Sequence, residues 1–90
     1  MKNNAYIIVN KKKYYFYRIE WLDILGDAGH RNFEDLSNMK PACKITYAFL
    51  FKKNNKTVHT FNTYDTKEEE FSDCNVFPRG VIVSMIKIKI

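Results

Sequence analysis

Glycine, proline and cysteine are scarce in this 90-residue chain, with three, two and two of each. Two cysteines are too few for a disulfide-stapled scaffold. A disordered chain is excluded as well, because 46% of residues are hydrophobic and seven Phe and six Tyr supply large buriable area. No apolar run approaches the ~20 residues that a membrane span needs, so no membrane partner is expected. The opening Met1-Lys2-Asn3-Asn4 is polar, and the apolar stretch behind it, Ala5 to Val9, is short for a signal-peptide core. A cytoplasmic protein is the expectation. The length suits one domain over residues 1–90.

The charge is patterned. Fifteen Lys and Arg against ten Asp and Glu give a net +5. Residues 1–18 and 40–56 carry bases and no acid, whereas 19–39 and 65–73 are mostly acidic. Nearly all the bases are lysine, a mobile point charge rather than a bidentate reader of phosphate or guanine. Lys, Asn and Ile share AT-rich codons, so genomic base composition accounts for much of the basicity. The pattern favours a patchwork protein-binding surface over a polyanion footprint.

Short stretches rich in β-branched and aromatic residues dominate. Residues 5–9 and 14–22 read as a hairpin around the polar Asn10 to Lys13. Alternation places Tyr15, Tyr17, Ile19 and Trp21 on a core face, and Tyr14, Phe16, Arg18, Glu20 and Leu22 on the other. Gly26 to His30 breaks the pattern. Asn32 can then cap one or two helical turns through Met39, with Phe33, Leu36 and Met39 in phase, ending before Pro41. A helix this short must lean on the sheet. Cys43, Ile45, Tyr47, Phe49 and Phe51 share one face of the clearest strand, 43–52, which turns at Lys53 to Lys56 and returns over Thr57 to Tyr64. Asp65 to Asp73 reads as a solvated acidic loop with a helical turn near Lys67 to Phe71. A fragment at Asn75 to Phe77, a tight turn at Pro78-Arg79-Gly80 and a last strand, Val81 to Ile90, follow. Lys87 and Lys89 protect that strand at a sheet edge. Five or six short strands and one small helix indicate an antiparallel barrel or strongly bent sheet.

No catalytic, cofactor or metal set emerges. Cys43 and Cys74 lack zinc-ligand spacing, and Cys43 reads as a small buried hydrophobe. His30 and His59 stand alone. Trp21 and Asp23 share a strand face, the Trp as core and the Asp bonding amides of the Gly26–Gly29 loop. The candidate partner-binding residues are three groups. Lys11, Lys12, Lys13, Tyr14, Phe16 and Arg18 combine bases with aromatics, the composition of single-strand nucleic-acid binders; alternation leaves only Tyr14 and Phe16 as outward rings. Lys52, Lys53 and Lys56 form a basic hairpin tip. Glu68, Glu69 and Glu70 form an acidic loop.

Two motifs resemble a known group. Ile19 to Gly26 ends a strand in W-x-D-x-x-G, and Val76-Phe77-Pro78-Arg79-Gly80-Val81-Ile82 is an apolar–Pro–basic–Gly turn entering a final strand. Their order resembles that of small phage and prophage proteins of SH3-like architecture and unassigned function. The resemblance covers residues 14–90 and leaves 1–13 as an N-terminal strand or hairpin addition. It implies a mainly β, small antiparallel SH3-like barrel of five to six strands with one short helix. It further implies a non-enzymatic module in the host cytoplasm that binds and modulates a host protein, such as a component of a defence system. A nucleic-acid-binding barrel and a sponge for a nucleotide messenger are the alternatives. A homodimer paired through the terminal strand is also open.

Overall fold

The computed structural model describes residues 3–90; Met1 and Lys2, part of the expected N-terminal addition, lie outside them. Eight strands and one helix follow in order: β1 Tyr6–Val9, β2 Lys12–Asp23, α1 Phe33–Asn38, β3 Ala42–Lys53, β4 Thr57–Phe61, β5 Thr63–Asp65, β6 Glu70–Ser72, β7 Asn75–Pro78 and β8 Ile82–Lys87. A 3₁₀ turn, Arg79–Val81, joins the last two strands. No helix among the described residues is long and apolar enough to cross a membrane.

Six strands form one antiparallel sheet, and β2 is its spine. Along one edge β2 pairs with β3, from Phe16 opposite Phe49 to Asp23 opposite Ala42. Along the other edge two strands lie end to end: β1 opposite Lys12 to Tyr15, and β8 opposite Tyr17 to Trp21. The handover falls at Phe16. Its N–H donates to Ala5 O at 3.0 Å and its carbonyl accepts from Ile88 N at 2.9 Å. Asn3 and Ile90 exchange a pair of backbone hydrogen bonds just beyond. β4 pairs outside β3, and β7 outside β4. No ladder joins β7 to β8 among the described residues, so the sheet is open. β5 and β6 form a separate hairpin.

Local sequence explains the turns. The β1–β2 connection is the two-residue Asn10-Lys11, both at positive φ (50° and 69°), the pairing that matches the twist of a hairpin. In the β3–β4 turn, Asn54 Oδ1 accepts from the backbone N–H groups of Lys56 and Thr57 at 2.8 and 2.9 Å. The expected return strand to Tyr64 is broken at Asn62, which leaves the ladder and donates through Nδ2 to Tyr47 O at 2.8 Å. The acidic segment is therefore a hairpin, β5–β6, rather than a loop with a helical turn. Asp65 Oδ1 organises its tip by accepting from the N–H groups of Lys67 and Glu68.

Two cores sit on opposite faces of the sheet. On the first, Tyr17, Ile19, Val58 and Phe77 are buried, with Tyr15, Trp21, Leu50 and Met85 against them. This is the expected core face of β2. On the second face, Val9, Tyr14 and Phe61 are buried, with Ile7, Phe49, Tyr64 and Phe71 packed around them. Phe71, carried by the β5–β6 hairpin, lies 4.7 Å from Phe61. Each core covers only part of its face.

That arrangement corrects several expectations. Tyr14 is not an outward ring: it is 8% exposed, with its ring edge-on to Phe61. Phe16 is half-buried beside Phe49. In β3 the more polar face is the one that dives inward, with Ala48 fully buried, whereas Ile45 and Tyr47 stand out in solvent. Cys43 is exposed, because it lies on that same bare face, and Cys74 is exposed too. The expected N-terminal hairpin is present: over the described residues of segment 1–13, β1 pairs with β2, and Val9 joins the second core. Helix α1 is capped as expected, Asn32 Oδ1 accepting from Asp35 N at 2.8 Å, yet all six of its residues are exposed. It does not lean on the sheet.

Candidate functional site

The W-x-D-x-x-G stretch marks where β2 ends and an arm, residues 24–41, begins. Trp21 is held across the ladder: its indole N–H donates to Thr46 Oγ1 at 2.9 Å, and its ring meets Phe77 edge-on at 5.2 Å. Asp23 does not organise the glycine loop; among the described residues its Oδ1 accepts from Ile24 N, one residue on. Asp27 does that work. It accepts from Gly29 N at 2.8 Å and pairs with the Arg31 guanidinium. These hydrogen bonds hold its carboxyl below the ordinary 3.8, the Gly29 amide first and Arg31 second. The arm thus has internal order, although Ile24 and Phe33 are each 89% exposed and Leu25 and Leu36 are exposed as well.

At the root of this arm lies a cleft. Two adjoining cavities of 260 and 240 Å³ share Leu22, Asp23, Ile24 and Val81. Trp21, Phe77 and Pro78 extend the wall on one side, and Pro41 and Gly80 on the other. The lining is mainly apolar, with Asp23 at the rim and Asp27, Glu34 and Asp35 on the arm. Each is somewhat smaller than the usual binding pocket. A smaller apolar cavity of 140 Å³, lined by Phe51, His59, Phe61, Phe71 and Cys74, lies beside the second core. A third concavity of 290 Å³ is lined by Lys53, Arg79 and Ser84 over Ile82 and Met85.

The structure sorts the sequence-derived candidates. The β2–β3 antiparallel register sends Lys11, Lys12 and Lys13 and the Lys52, Lys53, Lys56 hairpin toward the same end of the sheet. Arg79 joins that end, its guanidinium donating to Asn54 O at 3.2 Å. Lys12 lies over the Tyr14 ring and Lys13 over Tyr6. Arg18 pairs with Glu20 at 3.6 Å on the second face of β2. Glu68, Glu69 and Glu70 sit at the β5–β6 tip, remote in the topology from the cleft. Among the described residues no group of three or more His, Cys, Asp or Glu is placed to hold a metal ion.

Sequence reasoning missed Ile24, Pro78 and Val81 as lining residues. The available signal was that two recognised motifs, at 19–26 and 76–82, both carry apolar residues just past a strand end. No family model, curated protein or solved structure matches this chain.

Proposed function

We propose that this protein is a non-enzymatic interaction module that takes an apolar segment of a partner protein into the cleft at the arm root. The observation that carries this reading is the cleft itself, an apolar groove walled by Trp21, Phe77, Pro78 and Val81 at the root of an arm that exposes Ile24, Leu25, Phe33 and Leu36. Apolar lining supplies affinity, and the Asp23 carboxylate, with the acidic arm nearby in sequence, favours a segment flanked by Lys or Arg. Following the resemblance of its two motifs, the module is phage-encoded and acts on a host protein, such as one used in defence. We infer an incompletely closed SH3-like barrel. Support comes from the strand order β8–β2–β3–β4–β7, whose outer members are joined through the 3₁₀ turn.

The test is capture from a low-GC bacterial lysate by the wild-type protein and by Ile24→Glu and Val81→Glu. One stoichiometric partner, lost in both variants while their circular dichroism is unchanged, is the expected result. Capture that survives both substitutions overturns the cleft as the site.

A second reading, nucleic-acid binding, has its own observation. Tyr6 and Tyr15 meet edge-on at 5.8 Å on the first face, with Lys13 over one ring and Lys87 over the other. Rings beside ammonium groups suit single-stranded bases. Binding of a labelled oligonucleotide that weakens steeply with salt and is lost in Tyr6→Ala would favour it. No binding at low salt removes it.

A further inference from the structure

The surface is too large for the mass. The chain exposes 7101 Å², about 1,600 Å² more than the roughly 5,500 Å² expected of a folded monomer of 10.7 kDa. Its radius of gyration is 17.0 Å, against about 12 Å for a compact domain of this length. The arm accounts for part of the excess. The second face of the sheet adds to it, with Ile45, Tyr47 and Ile86 exposed.

On that face the β5–β6 hairpin covers one end only. Beyond Phe16 the face is bare across three paired strands. β2 presents Phe16, Arg18, Glu20 and Leu22, β3 presents Ile45 and Tyr47, and β8 presents Ile86 beside Arg18. Ile45, Tyr47 and Ile86 are 49, 50 and 56% exposed. This is a largely apolar surface with one ion pair, Arg18–Glu20, and with Ser84 beside Glu20.

We infer that this face packs against the same face of a second copy, as an isologous dimer that shares only Leu22 with the cleft. The charges select that occupant. A twofold axis lying in the interface, across the strands and level with Ile19, reverses each strand against its mate. It sets Arg18 opposite Glu20 of the other copy, and Glu20 opposite Arg18. By the same register Phe16 faces Leu22 and Tyr47 faces Ile45, since Tyr47 and Ile45 pair with Arg18 and Glu20 in the sheet. The charged pair and the large apolar groups of β2 and β3 each meet a complement, as a self-complementary patch requires, while Ile86 meets Ser84 of the other copy. Sheets stacked face to face lie about 10 Å apart with strands roughly aligned, which these side chains span. A stable interface covers about 800 Å² per partner; the whole-molecule excess, which the arm shares, is about twice that.

The experiment is light scattering after size exclusion, over a dilution series, on the wild type and on Arg18→Glu and Glu20→Arg. The wild type should run at twice 10.7 kDa. Each variant alone places like charges across the axis and should run as a monomer. Mixed one to one, they should recover the dimer, because an acidic pair then faces a basic pair. This recovery separates an interface from a folding defect, since mixing cannot repair an intrachain ion pair. Tyr47→Lys, at an exposed position, should also give a folded monomer. A wild type that is monomeric throughout, or variants that fail to recombine while remaining folded, overturns the proposal. Partner capture through Ile24 and Val81 is read separately and does not depend on this outcome.

Discussion

Trp21 donates its indole N–H to Thr46 Oγ1 across the β2–β3 ladder, at 2.9 Å and half-buried. The bond fixes the ring that walls both the first core and the cleft. Thr46→Val keeps the shape and leaves the indole N–H without its acceptor. It should lower stability by about 1 kcal/mol in urea unfolding. An unchanged midpoint would show that water replaces the hydroxyl at no cost.

Thr60 presents the opposite case. It is 2% exposed, and its hydroxyl has no partner among the described residues. Thr60→Val removes a buried polar atom at nearly constant volume. Stability should rise by about 1 kcal/mol, and a fall of that size would mean the hydroxyl is satisfied in solution.

The two cores share their strands, because Tyr14 and Tyr17 belong to one continuous β2. Ile19→Ala and Phe61→Ala should each cost about 2–5 kcal/mol. More tellingly, Phe61→Ala should shift the unfolding seen by Trp21 fluorescence as far as that seen by far-ultraviolet circular dichroism, although Trp21 lies in the other core. Divergent midpoints would reveal two separately melting units.

Lys11 holds φ at 69° in the β1–β2 turn, a region that costs a side-chain-bearing residue roughly 1 kcal/mol. Lys11→Gly should raise stability by a similar amount in thermal or urea unfolding. A loss would indicate that the lysine contributes contacts that outweigh the backbone strain.

The arm should loosen in acid. Asp27 is held below 3.8 by the Gly29 amide and Arg31, so its contribution is complete above 3.8 and disappears as pH falls through the lower folded value. Amide signals of Gly29 and Arg31 should change only below that ordinary value. A midpoint at or above 3.8 would mean that these contacts do not form in solution.

The elements that depend on local chemistry were legible in the sequence. The Asn32 cap, the Asn54 turn, the 3₁₀ turn after Pro78 and the two-face alternation of β2 follow from residue type and spacing. Which face of a strand is covered does not. Alternation in β3 separates Tyr47 from Ala48 but cannot tell that the covering elements reach only part of each face. The side that is richer in aromatics is consequently exposed at Ile45 and Tyr47. Helix α1 failed for a related reason: its pattern marks an apolar stripe without naming what meets it. The cleft was half legible, since Trp21, Ile24, Pro78 and Val81 all stood in the two motifs, while neither motif by itself says that the two strand ends meet.

The handover at Phe16 also bears on connectivity. Asn3 and Ile90 exchange backbone hydrogen bonds of 3.2 and 2.8 Å, so the two ends of the described chain run side by side in one ladder. The fold is then close to a ring that happens to be cut at that seam. A short Gly-rich linker could bridge residues 3 and 90, and new ends could be opened at the Asn54–Lys56 turn, without altering the strand order. In such a circular permutant β1 and β8 become one connected segment lying along β2, and the sheet would assemble around an intact spine.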